Sequence, residues 1–192
     1  MLSKIIDGNY PAVVASAAAA AQYTMPPQAL KERSFKISSG DEIDLDDMAA
    51  RLVKAGYSRF DQVDGTSQFS IRGGLLDIFP PGADDPVRIE LWGDTVDSIT
   101  KFDIATQRRT DMVNSVEIIP STEVLFNSRE EQAKKIDTLA AGLKGKATKA
   151  REKLYQDSDR LKQGINLRCN DKYLPLAYDS KGIFDYFEGT LF

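Results

Sequence analysis

Residues 68–103 read QFSIRGGLLDIFPPGADDPVRIELWGDTVDSITKFD, and few folds accommodate such a run. Gln68–Arg72 alternates polar and apolar residues, Gly73-Gly74 interrupts it, and Leu75–Phe79 is apolar except for Asp77. Pro80-Pro81-Gly82 and the acidic turn Asp84-Asp85-Pro86 end that run, because proline removes a ladder donor and glycine opens positive φ. Val87–Trp92 alternates again, Gly93-Asp94 turns the chain, and residues 96–102 return. Short runs punctuated in this way predict an antiparallel sheet with one buried face and one wet face.

Alternation also sorts the side chains, since successive strand residues point to opposite faces. Val87, Ile89 and Leu91 fall on a core face, as do Phe69 and Ile71. Arg88, Glu90 and Trp92 fall on the other, with Gln68, Ser70 and Arg72. The chain's one tryptophan therefore shares the charged face with converging arginines, which is the composition of a binding hot spot. Two blander arrangements stay open at this point: a helix or domain covering Trp92, or arginines that merely pair with Glu90 and Asp77. Gly73 and Gly74 are expected to form a bulge or bend that supports this face through the backbone.

Composition removes several classes of function. The 192 residues are 42% hydrophobic and 28% charged, which describes a globular chain of one large or two small domains. No apolar run approaches the ~20 residues of a membrane helix. The alanine-rich residues 15–21 are too short and too weakly hydrophobic for a signal peptide. A single cysteine, Cys169, excludes an internal disulfide and fits a reducing cytoplasm. The absence of histidine rules out histidine zinc sites, Ser-His-Asp triads and imidazole acid–base catalysis. A net charge of −4 argues against broad contact with a phosphate backbone.

Taken in order, residues 1–45 read as part of an α/β domain whose remaining elements lie elsewhere. Pro11 starts a strand at 12–15, Ser16 caps a helix running to Tyr23, Met25-Pro26-Pro27 breaks it, and 28–33 forms another turn or two. Short strands are expected at 35–37 and 42–43. Asp44 or Asp46 caps a helix over 47–55 that ends at Gly56, with Met48, Leu52 and Val53 as its apolar stripe. A strand at 57–64 leads into the central stretch; a polar link at 105–111 and a strand at 116–119 follow it, giving a second domain at 46–122. Residues 123–192 hold two helices, the first with a capping box at Ser128 and Glu131 and a stripe of Ile136, Leu139, Ala140 and Leu143, the second marked by Leu154 and Leu161. The aromatic tail, from Tyr173 through Phe184 and Tyr186 to Phe192, reads as core contacts returning to the first domain.

Chemistry is sparse. Gly142 to Thr148 superficially suggests a phosphate loop, but two residues rather than four separate the glycines, and Ala147 stands where the hydroxyl belongs. Asp44, Asp46, Asp47, Asp84 and Asp85 match no EF-hand loop and read as caps and turn residues. Arg108-Arg109 reads as a solvated pair. No nucleophile, base and orienting group assemble, so an enzyme is not expected and no cofactor or metal is called for.

The motifs IRGGLLDIFPPG, PVRIELWGD and SITKFDIATQRR, in that order, resemble the second domain of the bacterial transcription-repair coupling factor, Mfd, which is similar to the matching domain of UvrB. The double glycine after Arg72 and Thr106-Gln107-Arg108 favour Mfd, since UvrB usually carries RGD at the first place and lacks the QR. VVAS around Val13, YLPLAY at 173–178 and Phe184-Asp185-Tyr186 extend the resemblance more weakly. It implies an α+β fold in which an antiparallel β-rich second domain is inserted in a partial, degenerate helicase-like α/β first domain. The implied function is non-catalytic: recruiting UvrA, in nucleotide excision repair, to stalled transcription complexes in the cytoplasm. In the intact family protein, an ATP-dependent DNA translocase, RNA polymerase and DNA are handled by other domains. The positions matching the family's UvrA-contacting residues are Arg72, Arg88 and Trp92, with Glu90, Gly73 and Gly74 in support; the family usually has phenylalanine where Trp92 stands. A fragment of UvrB itself and a nucleic-acid-binding β module with Trp92 stacked on a base are the competing readings.

Overall fold

The structure, a computed structural model, describes residues 2–8, 12–145, 147–165, 167, 169–179 and 181–187. Its elements begin with α1 (Leu2–Ile6), α2 (Ala17–Ala20), β1 (Tyr23–Thr24), α3 (Pro27–Arg33), β2 (Phe35–Ser38) and α4 (Leu45–Lys54). Seven strands follow: β3 (Ser58–Arg59), β4 (Gln68–Arg72), β5 (Leu75–Phe79), β6 (Val87–Trp92), β7 (Thr95–Phe102), β8 (Arg109–Val113) and β9 (Ser115–Ile118). The chain ends with α5 (Arg129–Gly142), α6 (Thr148–Lys162), α7 (Leu174–Ala177) and β10 (Lys181–Gly182). They group into two compact units, Met1–Val13 with Pro27–Thr122 and Val14–Pro26 with Glu123–Phe192.

The first unit is built on a six-stranded sheet, ordered β3-β4-β5-β6-β7-β8. All its pairings are antiparallel except β3, which runs parallel to β4. The strand expected over 57–64 is reduced to Ser58–Arg59, because the chain then leaves the edge and crosses the polar face. There the Asp61 carbonyl accepts from Ser70 Oγ at 2.8 Å, and Val63 is buried. The link expected at 105–111 is a turn followed by β8, which pairs with β7 through a register shift between Thr100 and Phe102. Four of the five β8 residues are exposed, so this edge strand has no alternation to betray it.

One face of the sheet meets α4. Asp44 caps that helix, its carboxylate accepting from the N–H groups of Asp46 at 2.8 Å and Asp47 at 2.9 Å. Met48, Leu52 and Ala55 are the residues α4 and its C-cap bury. Val53, expected in that stripe, is 56% exposed, since it lies about 100° around the helix from Leu52. These side chains join Phe69, Leu76, Ile78, Val87, Ile89, Val96 and Ile99 in one core. Strand β2 pairs with β9 from Phe35↔Ile118 to Ser38↔Ser115, and Ile37 and Ile118 are buried in that same core. Residues 35–38, assigned from sequence to the first domain, therefore pack with the sheet. Glu42 and Thr95 form only an isolated bridge.

In the second unit α5 and α6 pack together. Ser128 Oγ accepts from the Glu131 N–H at 3.1 Å, and Glu131 in turn accepts from the N–H of Asn127. Ala133, Ile136, Leu161, Tyr173 and Leu174 form a core, while Leu139 of the expected stripe is partly exposed. The Ser16-capped helix ends at Ala20, so that Tyr23–Thr24 can pair antiparallel with Lys181–Gly182. Tyr186 is buried, its hydroxyl donating to the Met25 carbonyl, whereas Phe184 is exposed. Residues 12–15 form no strand. Pro11, expected to start it, Lys146 of the phosphate-loop-like run and Phe192 lie outside the described residues. No described helix is long and apolar enough to cross a membrane.

Candidate partner-binding face

Two hairpins with the same local chemistry set up the polar face of the sheet. Gly73-Gly74 joins β4 to β5 and Gly93-Asp94 joins β6 to β7, with Gly73 and Gly93 at φ +59° and +61°. Positive φ at the first central residue is the type II′ pattern, which suits the right-handed twist of the strands. Gly73-Gly74 is thus a tight turn rather than the bulge or mid-strand bend expected. The hairpins close at the same end of the sheet and touch: the Gly74 carbonyl accepts from the Leu91 N–H at 2.8 Å. A Cβ added to Gly74 would stand 3.0 Å from the Leu91 carbonyl oxygen.

Cross-strand register then lays the side chains out in rows. Ser70, Asp77, Arg88, Thr100 and Met112 occupy one row, and Arg72, Leu75, Glu90 and Ser98 the next. Trp92 faces Thr95 at the hairpin end. Because β4 and β6 both run toward that end, Arg72 and Trp92 each stand one residue from a turn.

The hub of the face is Asp77, whose side chain is 1% exposed. Its Oδ1 accepts from Arg88 Nε at 2.7 Å, while Oδ2 accepts from Arg88 Nη2 at 2.8 Å and from Arg72 Nη2 at 2.9 Å. Two arginines from two strands thus share one buried carboxylate, and Arg88 grips it with its planar fork. Those hydrogen bonds raise the Arg88 pKa above its ordinary value. Arg88 is further enclosed, with its Nη1 donating to the Gln107 carbonyl at 3.4 Å and its guanidinium lying 4.9 Å from the centre of the Phe102 ring. Gln107, at φ +59°, donates its side-chain amide to the carbonyls of Val63 and Ile104, so the 103–108 turn closes over this end of the face.

Exposure falls off steeply from one candidate residue to the next. Trp92 is 85% exposed, the Arg72 side chain 47% and the Arg88 side chain 12%. Glu90, expected to lie between the two arginines and steady them, instead forms an ion pair with Arg109 of β8 and accepts from Ser98 Oγ at 3.4 Å. Arg109 is therefore partnered, which departs from a solvated pair with Arg108. The structure brings Arg72 and Arg88 together on Asp77, which takes the steadying role, and leaves Trp92 outward at the hairpin end. Pairing of the arginines with Asp77, one of the blander arrangements the sequence left open, is the one the structure shows, whereas the pairing with Glu90 is not seen. Among the described residues no group of three or more Asp, Glu or Cys side chains could hold a metal ion. Donors, acceptors and an exposed indole are what the face offers, which suits recognition.

Residues 35–124 match the model of the UvrB interaction domain, a span that begins on the first residue of β2. Nearly the whole chain, 97%, is 37% identical to the transcription-repair-coupling factor of Bacillus subtilis. The corresponding figures are 33% identity over 82% of the chain for the factor of Myxococcus xanthus, and 32% over 89% for that of Haemophilus influenzae. The chain carries a UvrB interaction domain. It spans 17%, 13% and 15% of those three relatives, and so is similar to one region of them. This is the family to which the three motifs pointed. The interaction domain includes β2 and β9 with the six-stranded sheet, and the arginine–aspartate cluster and Trp92 lie on its polar face.

Proposed function

We propose that this chain is a non-catalytic docking region of a transcription-repair coupling factor, and that its sheet recruits the excision-repair protein UvrA to stalled transcription complexes. The observation that carries the reading is a buried Arg88–Asp77 pair holding a half-exposed Arg72, with an outward Trp92 at the hairpin end of the same sheet, in a UvrB interaction domain. An exposed aromatic with an oriented arginine is the usual anchor of a protein interface. UvrA would meet it with acidic groups flanking an apolar recess. In this reading the flanking segments belong to a degenerate helicase-like first domain, the protein works in the cytoplasm, and ATP, RNA polymerase and DNA are handled elsewhere in the longer protein.

Calorimetry with purified UvrA tests the proposal. The parent chain should bind, and Arg72→Ala or Trp92→Ala should each lose ~2 kcal/mol, roughly thirtyfold in affinity, while circular dichroism stays unchanged. Affinity should also fall with added salt, since exposed charges are screened. Folded variants that bind like the parent would remove these residues from the interface. The exposure of Trp92 also favours a second reading, base stacking by a nucleic-acid-binding module. The acidic balance opposes it, and a mobility-shift assay with single strands separates the two.

A further inference from the structure

Arg72 and Arg88 look equivalent in the sequence, yet their surroundings assign them different work. Arg88 commits Nε and Nη2 to Asp77 and Nη1 to Gln107, lies against Phe102, and has a side chain only 12% exposed. A partner could reach little of it. Arg72 commits one N–H to Asp77, and the rest of its guanidinium, which carries five N–H groups in all, is presented on a side chain 47% exposed. Asp77 is itself sealed, with three arginine N–H bonds to its two oxygens.

Building on UvrA as the partner, we infer that Asp77 and Arg88 are positioning residues: they form a buried strut that aims Arg72, and the contact with UvrA is made by Arg72 and Trp92. The geometry requires both halves of the strut. Arg72 is a long side chain leaving β4 one residue before a turn, and without an anchor it would sample many rotamers, each at an entropic cost on binding. Asp77 supplies the anchor, and its opposite number across the β5–β6 ladder, Arg88, fixes the carboxylate by gripping both oxygens. The bidentate pair leaves the second lone pair of Oδ2 turned to Arg72. The cluster also presents less positive charge than two arginines would, because one carboxylate is shared between them.

A double-mutant cycle on the full chain distinguishes aiming from direct contact. Asp77→Asn alone risks unfolding, since it leaves Arg88 enclosed without a counter-charge, so the second background is Asp77→Leu with Arg88→Met. Exchanging a buried ion pair for apolar side chains of similar size is commonly tolerated. In the parent, Arg72→Ala should weaken UvrA binding about thirtyfold. In the exchanged background it should cost less than about threefold, because Arg72 is already loose, while Trp92→Ala keeps its full effect in both. Equal losses from Arg72→Ala in the two backgrounds would overturn the strut and return Arg88 to the interface. A parent chain that does not bind UvrA would remove the proposed function and this inference with it.

Discussion

Burial lifts the phenol of Tyr57 above its ordinary pKa, and its hydroxyl donates to the Ile119 carbonyl at 2.8 Å. The sign of the resulting pH dependence follows from proton counting. Above pH ~10 an unfolded chain ionises its tyrosines while the buried phenol keeps its proton, so the folded state binds more protons there. Stability is therefore fully present below pH ~10 and declines as pH rises toward the folded pKa. Tyr186, pushed up to about 12 mainly by burial, and Tyr173, raised by burial and by its hydrogen bond to Asp157, add the same slope in the second unit. Urea midpoints measured from pH 8 to 11 should be flat at first and then fall. Tyr57→Phe should lower stability at pH 8 by about 1 kcal/mol, since the Ile119 carbonyl loses its partner, yet show a shallower alkaline decline. A decline of unchanged steepness would mean that Tyr57 ionises freely in the folded state.

Hairpins and caps were legible in the sequence because their causes are local. Gly93-Asp94 gave away its turn, and Asp44 and Ser128 gave away two helix starts, each within four residues of the groups they serve, whereas Gly73-Gly74 marked an interruption that was read as a bulge or bend and is a turn. That Arg72 and Arg88 share the polar face followed from period two alone, as did the exposure of Trp92, but the enclosure of Arg88 did not. What stayed hidden depends on register between strands. Asp77 becomes a hub only when Ser70 and Arg88 are known to flank it, and Arg109 reaches Glu90 only through β8, a strand without an apolar pattern. The parallel course of β3 was hidden too, because two residues carry no direction signal. The Gly74 position yields a test at this scale. A valine there drives its side chain into the Leu91 carbonyl, which is held by its own hairpin and cannot yield as a flexible side chain would. Gly74→Val should destabilise the domain by about 1–3 kcal/mol in thermal melts, with or without UvrA. Unchanged stability with weakened binding would show instead that the glycine admits the partner.

At the scale of the whole chain, the question is how much sequence the sheet needs in order to stand alone. A domain at 46–122 has its strands, its α4 helix and a polar exit, but it lacks β2. Without β2, the Ile37 side chain, 1% exposed, is missing from the core shared with Met48, Leu52 and Ile118, and β9 loses every partner from Phe35↔Ile118 to Ser38↔Ser115. Removing one buried isoleucine leaves a void of a kind that commonly costs 2–5 kcal/mol. Exposing Ile118 and unpairing four residues of β9 adds to that, against a total stability of about 5–15 kcal/mol for a domain. The Asp44 cap of α4 is lost with the same cut, at about 1 kcal/mol. Residues 27–122, by contrast, keep α3, β2, the cap and the whole sheet core, and correspond to the larger segment of the first compact unit. Expressed alone, 27–122 should show one cooperative thermal transition by circular dichroism and should still bind UvrA. Residues 46–122 should melt at a temperature lower by 10 °C or more, as ~2 kcal/mol or more implies for a domain of this size, or fail to show a transition. Equal midpoints for the two pieces would mean that β2 packs on the sheet without supporting it.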